Sequence, residues 1–178
     1  MKDSKAYQLL IVLQDIKPLI GRRVLVPSSI TFAKLHKVIQ IAMGWKDCHL
    51  HQFTSDSAGP MKAKHEKFLR LSDVAKTKGP GSSFYYEYDT GDNWIHLVVL
   101  EQVIDSAPYP AFFDCLSGER ACPPEDCGGP GGYADLLSIL ADPNHPEHKD
   151  RLDWVGGKFD PEKFDRAPIS KKLKRLKL

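Results

Sequence analysis

The stretch SFYYEYDTGDNWIHLVVLEQVI, residues 83–104, constrains the fold of this chain more than any other. Two runs rich in aromatic and β-branched residues flank TGDN, four residues that tolerate turn geometry, so the segment reads as an antiparallel hairpin. Strands are predicted around Phe84–Asp89 and Trp94–Ile104. With a loop at residues 90–93, Asp89 pairs with Trp94 and Glu87 lies opposite His96.

The rest of the chain is punctuated clearly. YQLLIVLQDI carries the apolar run of a buried strand, a turn follows at Pro18, and a second strand, Arg22–Val26, stops at Pro27. A helix comes next: Ser29 or Thr31 can cap it, and Phe32, Leu35, Val38, Ile39, Ala42 and Met43 recur at three- and four-residue spacing before Gly44. His36 and Lys34 fall among its more polar positions, which makes His36 a surface residue by this reading. HLHQFT, residues 49–54, alternates like a short strand. Residues 55–82 read as an irregular excursion with one short amphipathic piece around Phe68–Val74. Near the end, Tyr133, Leu136, Leu137 and Leu140 mark one helix, and NHPEHKDRLDWVGG marks a second with Pro146 in its first turn. FDPEKFD starts a third, capped by Asp160. The order implies an α+β fold with a mixed or antiparallel sheet: an N-terminal ββαβ unit, a central long hairpin and C-terminal helices. Residues 1–168 are expected to form a single domain and 169–178 a basic tail.

Composition limits the function classes. Of 178 residues, 42% are apolar and 27% charged, the balance of one ordinary globular domain, and a formal net charge of +2 gives no general pull toward nucleic acid or membrane. No stretch approaches the ~18 apolar residues of a membrane span, and the run Leu9–Leu13 is too short for a secretion signal. A cytoplasmic protein is expected, its cysteines Cys48, Cys115, Cys122 and Cys127 being reduced thiols or ligands. The end is locally basic, with Lys171, Lys172, Lys174, Arg175 and Lys177 and no acid after Asp165. A solvated terminus is the plain expectation; contact with nucleic acid or an acidic protein partner is the functional one.

Three constellations carry chemistry. The stretch GERACPPEDCGGPGGYADLL, residues 118–137, holds Cys122 and Cys127, which with Cys115 just before it give C-x6-C-x4-C, just outside the tight turn that zinc sites favour; Cys48, His49 and His51 could supply a fourth ligand from across the sheet, and buried small thiols are the alternative. Its glycines open a helix, where free N–H groups can bind an anion. However, no P-loop or dinucleotide pattern is present, Pro130 removes a donor, and Glu125 and Asp126 repel phosphate, so a tight turn accounts for it better. The third is a polar set on the sheet. His49 and His51 share a face, Glu87 and Asp89 share another strand's face, and His96 lies on the matching one. Imidazoles with carboxylates are the raw material of a divalent-metal site or a proton-transfer pair, and also of ordinary cross-strand links. Nucleophilic catalysis finds no frame, since G-x-S-x-G is absent.

GWKDCHLHQF, YEYDTGDNWIHLVVLE and GERACPPEDCGGPGGY, in that order, resemble the plasmid pRiA4b ORF-3-like family, some members of which carry a transposon-passenger, resolvase-like label. The resemblance runs from about Tyr7 to Phe164, with Thr90 where the family more often has an aromatic residue. It implies a compact intracellular α+β domain linked with plasmids and transposons, and brings no established reaction, substrate or cofactor. A serine recombinase needs an activated serine amid an arginine cluster, whereas Ser28 and Ser29 have only Arg22 and Arg23 nearby. The three blocks are expected to meet in space, Pro123, Pro124 and the glycines walling a cleft beside His49, His51, Glu87, Asp89, Asp92 and His96, with Arg120 and Glu125 bracing it. The expected function is a binding module with this polar His/carboxylate cleft, tied to mobile-element or nucleic-acid biology. The alternative is a metal-dependent hydrolase-like enzyme using the same groups.

Overall fold

The computed structural model describes residues 5–55, 59–75, 79–105 and 113–177. The parts of the predicted excursion at 56–58 and 76–78 lie outside the described residues. One sheet organises the rest, with strand order β4-β3-β5-β6-β1-β2-β7 and antiparallel pairing throughout. Its strands are β1 (Lys5–Leu13), β2 (Ile20–Pro27), β3 (His51–Ser55), β4 (Gly59–Pro60), β5 (Ser83–Tyr88), β6 (Trp94–Asp105) and β7 (Asp114–Glu119). The helices are α1 (Phe32–Met43), α2 (Ala63–Glu66), α3 (Leu71–Ala75), α4 (Gly129–Ala141), α5 (His148–Trp154) and α6 (Arg166–Leu173). The fold is α+β, as the sequence implies.

Period-two patterning decides which face is inside. Along β1, Leu9, Ile11 and Leu13 are buried while Gln8, Leu10 and Val12 are half-exposed, so the sheet hides one face. α1 covers that face. Thr31 accepts a hydrogen bond from the Lys34 amide at 3.3 Å, and Gly44 ends the helix at φ 109°. Phe32 packs edge-on against Phe53 of β3 and Phe84 of β5, with centroids 5.0 and 5.4 Å away. A buried guanidinium ties α1 to the sheet. Arg22 donates to the carbonyls of Ala42 at 2.9 Å, Gly21 and Glu119 at 2.7 Å, and Arg120 at 2.8 Å.

Several expectations change. The central turn spans residues 89–93, because Tyr88 pairs with Trp94, Glu87 with Ile95, and Tyr86 with His96. Asp89 and Asn93, at φ 57° and 59°, absorb the extra residue in left-handed conformations. A one-residue change of register reverses faces, so Glu87 lies on the outer face and His96 on the inner one. β3 begins at His51, leaving His49 in the preceding loop. His36 is buried rather than at the surface: it lies four residues after Phe32 and three before Ile39, on the apolar stripe. Pro146 lies outside α5, which starts at His148. FDPEKFD forms turns, and the last helix starts after Asp165, whose carboxylate accepts from the Ala167 amide at 3.0 Å. The expected boundary at 168/169 therefore falls within α6. Leu173 is fully buried, Ser170 donates to the Cys115 carbonyl at 3.2 Å, and Lys174 pairs with Asp114 at 3.0 Å. Ile169, Leu173 and Leu176 recur at helical spacing, so much of the expected tail packs against the fold.

Two inner-face imidazoles make acid stability measurable. His96 is fully buried; its Nδ1 donates to the Tyr86 carbonyl at 3.1 Å and its Nε2 accepts from the Trp45 indole at 3.1 Å. Burial holds it at about 4. His36 is also held at about 4, first by burial and then by the nearby imidazole of His51. An unfolded chain titrates both near 6.5, so between about 4 and 6.5 the unfolded state binds more protons and stability rises with pH. Denaturant midpoints measured across this range should be flat above about pH 6.5 and fall steadily toward pH 4. A flat profile down to pH 5 would contradict the buried, neutral assignment.

Candidate functional site

Three connections meet at one end of the sheet: residues 44–50 after α1, the 89–93 turn, and residues 120–128 between β7 and α4. Each is fastened by specific bonds. Tyr88 closes β5, and its hydroxyl accepts from the Cys48 amide at 3.0 Å and donates to Glu125 Oε1 at 3.1 Å. Glu125 Oε1 also accepts from the Lys46 amide at 2.6 Å. The Asp47 amide donates to Gln40 at 2.8 Å, and the Asp47 carboxylate accepts from His36 Nε2 at 2.8 Å and is paired with Lys37. Asp89 Oδ1 accepts from the amides of Gly91 and Asp92 at 3.0 and 3.4 Å, an Asx turn that holds the carboxylate in place. Asp92 Oδ2 accepts from the Gly128 amide at 3.0 Å and joins the second connection to the third.

The result is a node around His49. Its Nε2 lies 3.1 Å from Asp126 Oδ1, 3.5 Å from Asp89 Oδ2 and 3.7 Å from Glu125 Oε2. None of these approaches makes a hydrogen bond: His49 Nε2 and Glu125 Oε2 are both buried atoms without a hydrogen-bond partner. The Glu125 side chain is only 6% exposed, against 69% for Asp126. Ligand-capable atoms of Cys48, His49 and Glu125 lie within 4.8 Å of one another, as do those of His49, Asp89 and Asp126. Among the described residues, these are the groupings suited to a metal ion, and neither includes Cys115, Cys122 or Cys127. Burial raises the Cys122 thiol, and burial followed by the Asp92 carboxylate pushes Cys127 up to about 12, so both remain thiols.

Thus His49, Asp89 and Glu125 of the expected cleft come together, with Asp92 bracing them. The other members go elsewhere. His51 stacks on His36 with centroids 3.7 Å apart and approaches Glu66 at 3.1 Å. His96 lies beneath Trp45, and Glu87 is on the outer face. Arg120 turns away to the Pro18 carbonyl at 2.8 Å and to Glu162 at 2.7 Å. The three imidazoles meet different aromatic neighbours: Tyr86 stands 5.8 Å from His51 and 5.3 Å from His96, and Tyr88 stands 5.7 Å from His49. Asp126 joins the node without having been expected there, as does Cys48, which the sequence offered only as a possible fourth ligand to the other three cysteines. Their signal was adjacency: each neighbours a residue that was expected. Pro123 and Pro124 wall a cavity of about 460 Å³, bordered also by Gly44, Lys46, Glu125, Asp126, Trp154 and Phe159, and its lining includes none of His49, His51, Glu87, Asp89, Asp92 and His96.

An antiparallel seven-stranded α+β module with a histidine–carboxylate node at its loop end is thus the class that fold and site define. The chain belongs to the plasmid pRiA4b ORF-3-like protein family, whose sequence pattern matches residues 5–168. It is 35% identical over 165 residues to the uncharacterized protein y4hQ of Sinorhizobium fredii (strain NBRC 101917 / NGR234), covering 86% of this chain and 82% of that one. It is 38% identical to MM3350 of Methanosarcina mazei Go1, a protein of unknown function with a crystal structure, at a TM-score of 0.82 over 91% of this chain and 96% of that one. No helix among the described residues is long and apolar enough to cross a membrane.

The glycine run proves to be a close-packing device. A Cβ on Gly129, which sits at φ 68°, would come within 2.4 Å of the Asp92 carbonyl oxygen. Gly129→Ala is expected to destabilise the fold by about 2 kcal/mol or more, measured by denaturant unfolding, whereas Gly131→Ala, with nothing within 4 Å, should be nearly neutral.

Proposed function

We propose that the protein is a metal-binding module whose divalent ion is held at the His49 node. One observation carries this reading: His49 Nε2 and Glu125 Oε2, both buried and both without a hydrogen-bond partner, face each other 3.7 Å apart. Leaving a buried polar atom unsatisfied costs roughly 1–3 kcal/mol, and an ion between the two satisfies both. Donors about 2.1 Å from a tetrahedral ion stand roughly 3.4 Å apart, close to the spacing here. Three carboxylates gathered around one imidazole also repel one another unless a cation is among them.

The test is elemental analysis and titration of chelator-treated protein. One equivalent of zinc, manganese or iron per chain is expected, with a raised thermal midpoint. His49→Ala and Glu125→Gln should weaken uptake by more than the roughly 10–100-fold typical of losing an outer-sphere partner, while Cys122→Ser leaves it intact. Substoichiometric metal, or uptake indifferent to His49→Ala, would sink the reading.

A second reading rests on α6. With Leu173 anchored in the core, Lys171 and Lys172 stand exposed on α6 and Arg175 in the turn that follows it, which supports contact with nucleic acid. Charge reversal at these three positions should abolish salt-sensitive duplex DNA binding in a filter or anisotropy assay; binding that is absent from the parent protein, or that survives the reversal, would refute it.

A further inference from the structure

We infer that the ion sits in a zinc-type site made by Cys48 Sγ, His49 Nε2 and Glu125 Oε2, with a fourth position that exchanges with small anionic ligands from solvent. This rests on the metal-binding reading above and decides among its donors. Two donor sets share His49, one containing Cys48 and Glu125, the other Asp89 and Asp126. They differ in how far their atoms are already committed.

Asp89 is occupied as a brace. Its Oδ1 takes two amides of its own turn, and its Oδ2, 3.5 Å from His49 Nε2, is not among the buried atoms left without a hydrogen-bond partner. Asp126 is solvated, at 69% exposure, so withdrawing it fully from water costs desolvation that nothing nearby offsets. Glu125 differs from both. Its Oε1 is held by the Lys46 amide and the Tyr88 hydroxyl, which leaves Oε2 buried, oriented and without a partner. The Tyr88 hydroxyl also takes the Cys48 amide and lies 3.7 Å from Cys48 Sγ. One phenol therefore braces the two donors that flank His49, the role that outer-sphere partners play around metal ligands.

The donor chemistry selects the ion. A thiolate, an imidazole and a carboxylate together suit zinc and cobalt, whereas magnesium and calcium prefer oxygen donors alone. Three protein ligands leave one tetrahedral position. Asp126 Oδ1, 3.1 Å from His49 Nε2, is the nearest group to fill it, and its exposure makes it displaceable. Closed structural zinc sites use four firm ligands; a site with three firm ones keeps a position for water or an incoming anion. The fourth position thus takes a small anionic donor, such as azide or a hydroxamate.

The full-length protein loaded with cobalt(II) reports each part separately. One equivalent should bind with an intense near-ultraviolet sulfur-to-cobalt charge-transfer band and visible bands of four-coordinate strength. Cys48→Ser should remove the charge-transfer band and weaken binding at least tenfold, while Cys127→Ser and Asp126→Asn retain the band. Azide should shift the visible bands saturably at one equivalent. Stoichiometric cobalt without the charge-transfer band would overturn the thiolate assignment, and visible bands that ignore azide would overturn the open position, with the metal-binding reading intact in both cases. Cobalt uptake that is absent, or unaffected in His49→Ala, would bring down that reading and this inference together.

Discussion

The Arg22 guanidinium is the junction on which the loop end of this molecule depends. It is 3% exposed, and it is satisfied by four carbonyls from three places: its own strand, the last turn of α1 and the end of β7. Phe164 lies against its face, 4.8 Å from ring centroid to guanidinium carbon. A planar cation with several donors in a rigid fork can gather carbonyls that would otherwise be buried without partners. Residues 44–50 leave α1 next to Ala42, and residues 120–128 leave β7 at Arg120. Both segments therefore start from one fixed point, although they are about eighty residues apart in sequence.

From that point onward, the geometry of the node follows from backbone amides rather than from side-chain pairing alone. The Lys46 amide fixes Glu125, the Tyr88 hydroxyl fixes Cys48 and Glu125 together, and His36 fixes Asp47, next to Cys48. Binding and catalytic groups sit disproportionately on loops positioned by a rigid scaffold. Here the scaffold is the antiparallel sheet with α1 across it. The glycine run opens α4 where the Asp92 backbone passes too close for a side chain. It gives the third connection its shape.

Much of the fold was legible along the chain. α1 announced itself by its apolar spacing, the Thr31 cap and Gly44; β1, β2, β5 and β6 by runs of apolar, β-branched and aromatic residues; the pairing of β5 with β6 by the turn between them. The same local rules misled in identifiable places. Asp160 followed by Pro161 looks like a helix start, yet Asp165 makes the cap, because the apolar series of Ile169, Leu173 and Leu176 determines which turn can bury a face. His36 looks polar by residue type but occupies the stripe that packs on Tyr86, where its ring bonds the phenol at 2.8 Å. Of the candidate cleft, Asp89, His49 and Glu125 were identified correctly as neighbours; His51, Glu87, His96 and Arg120 serve other partners.

By itself the sequence determined the kinds of elements, their order and the family, since helix caps, alternation and turn residues act over four or five positions and need no distant partner. Whether the second hairpin turn held four residues or five lay beyond it, and that one residue sent Glu87 outward and His96 into the core. Tertiary packing alone decided which acids surround His49, because that depends on two loops springing from one buried guanidinium. No periodicity along the chain encodes such a meeting; it arises from satisfying carbonyls that only the folded chain brings within reach.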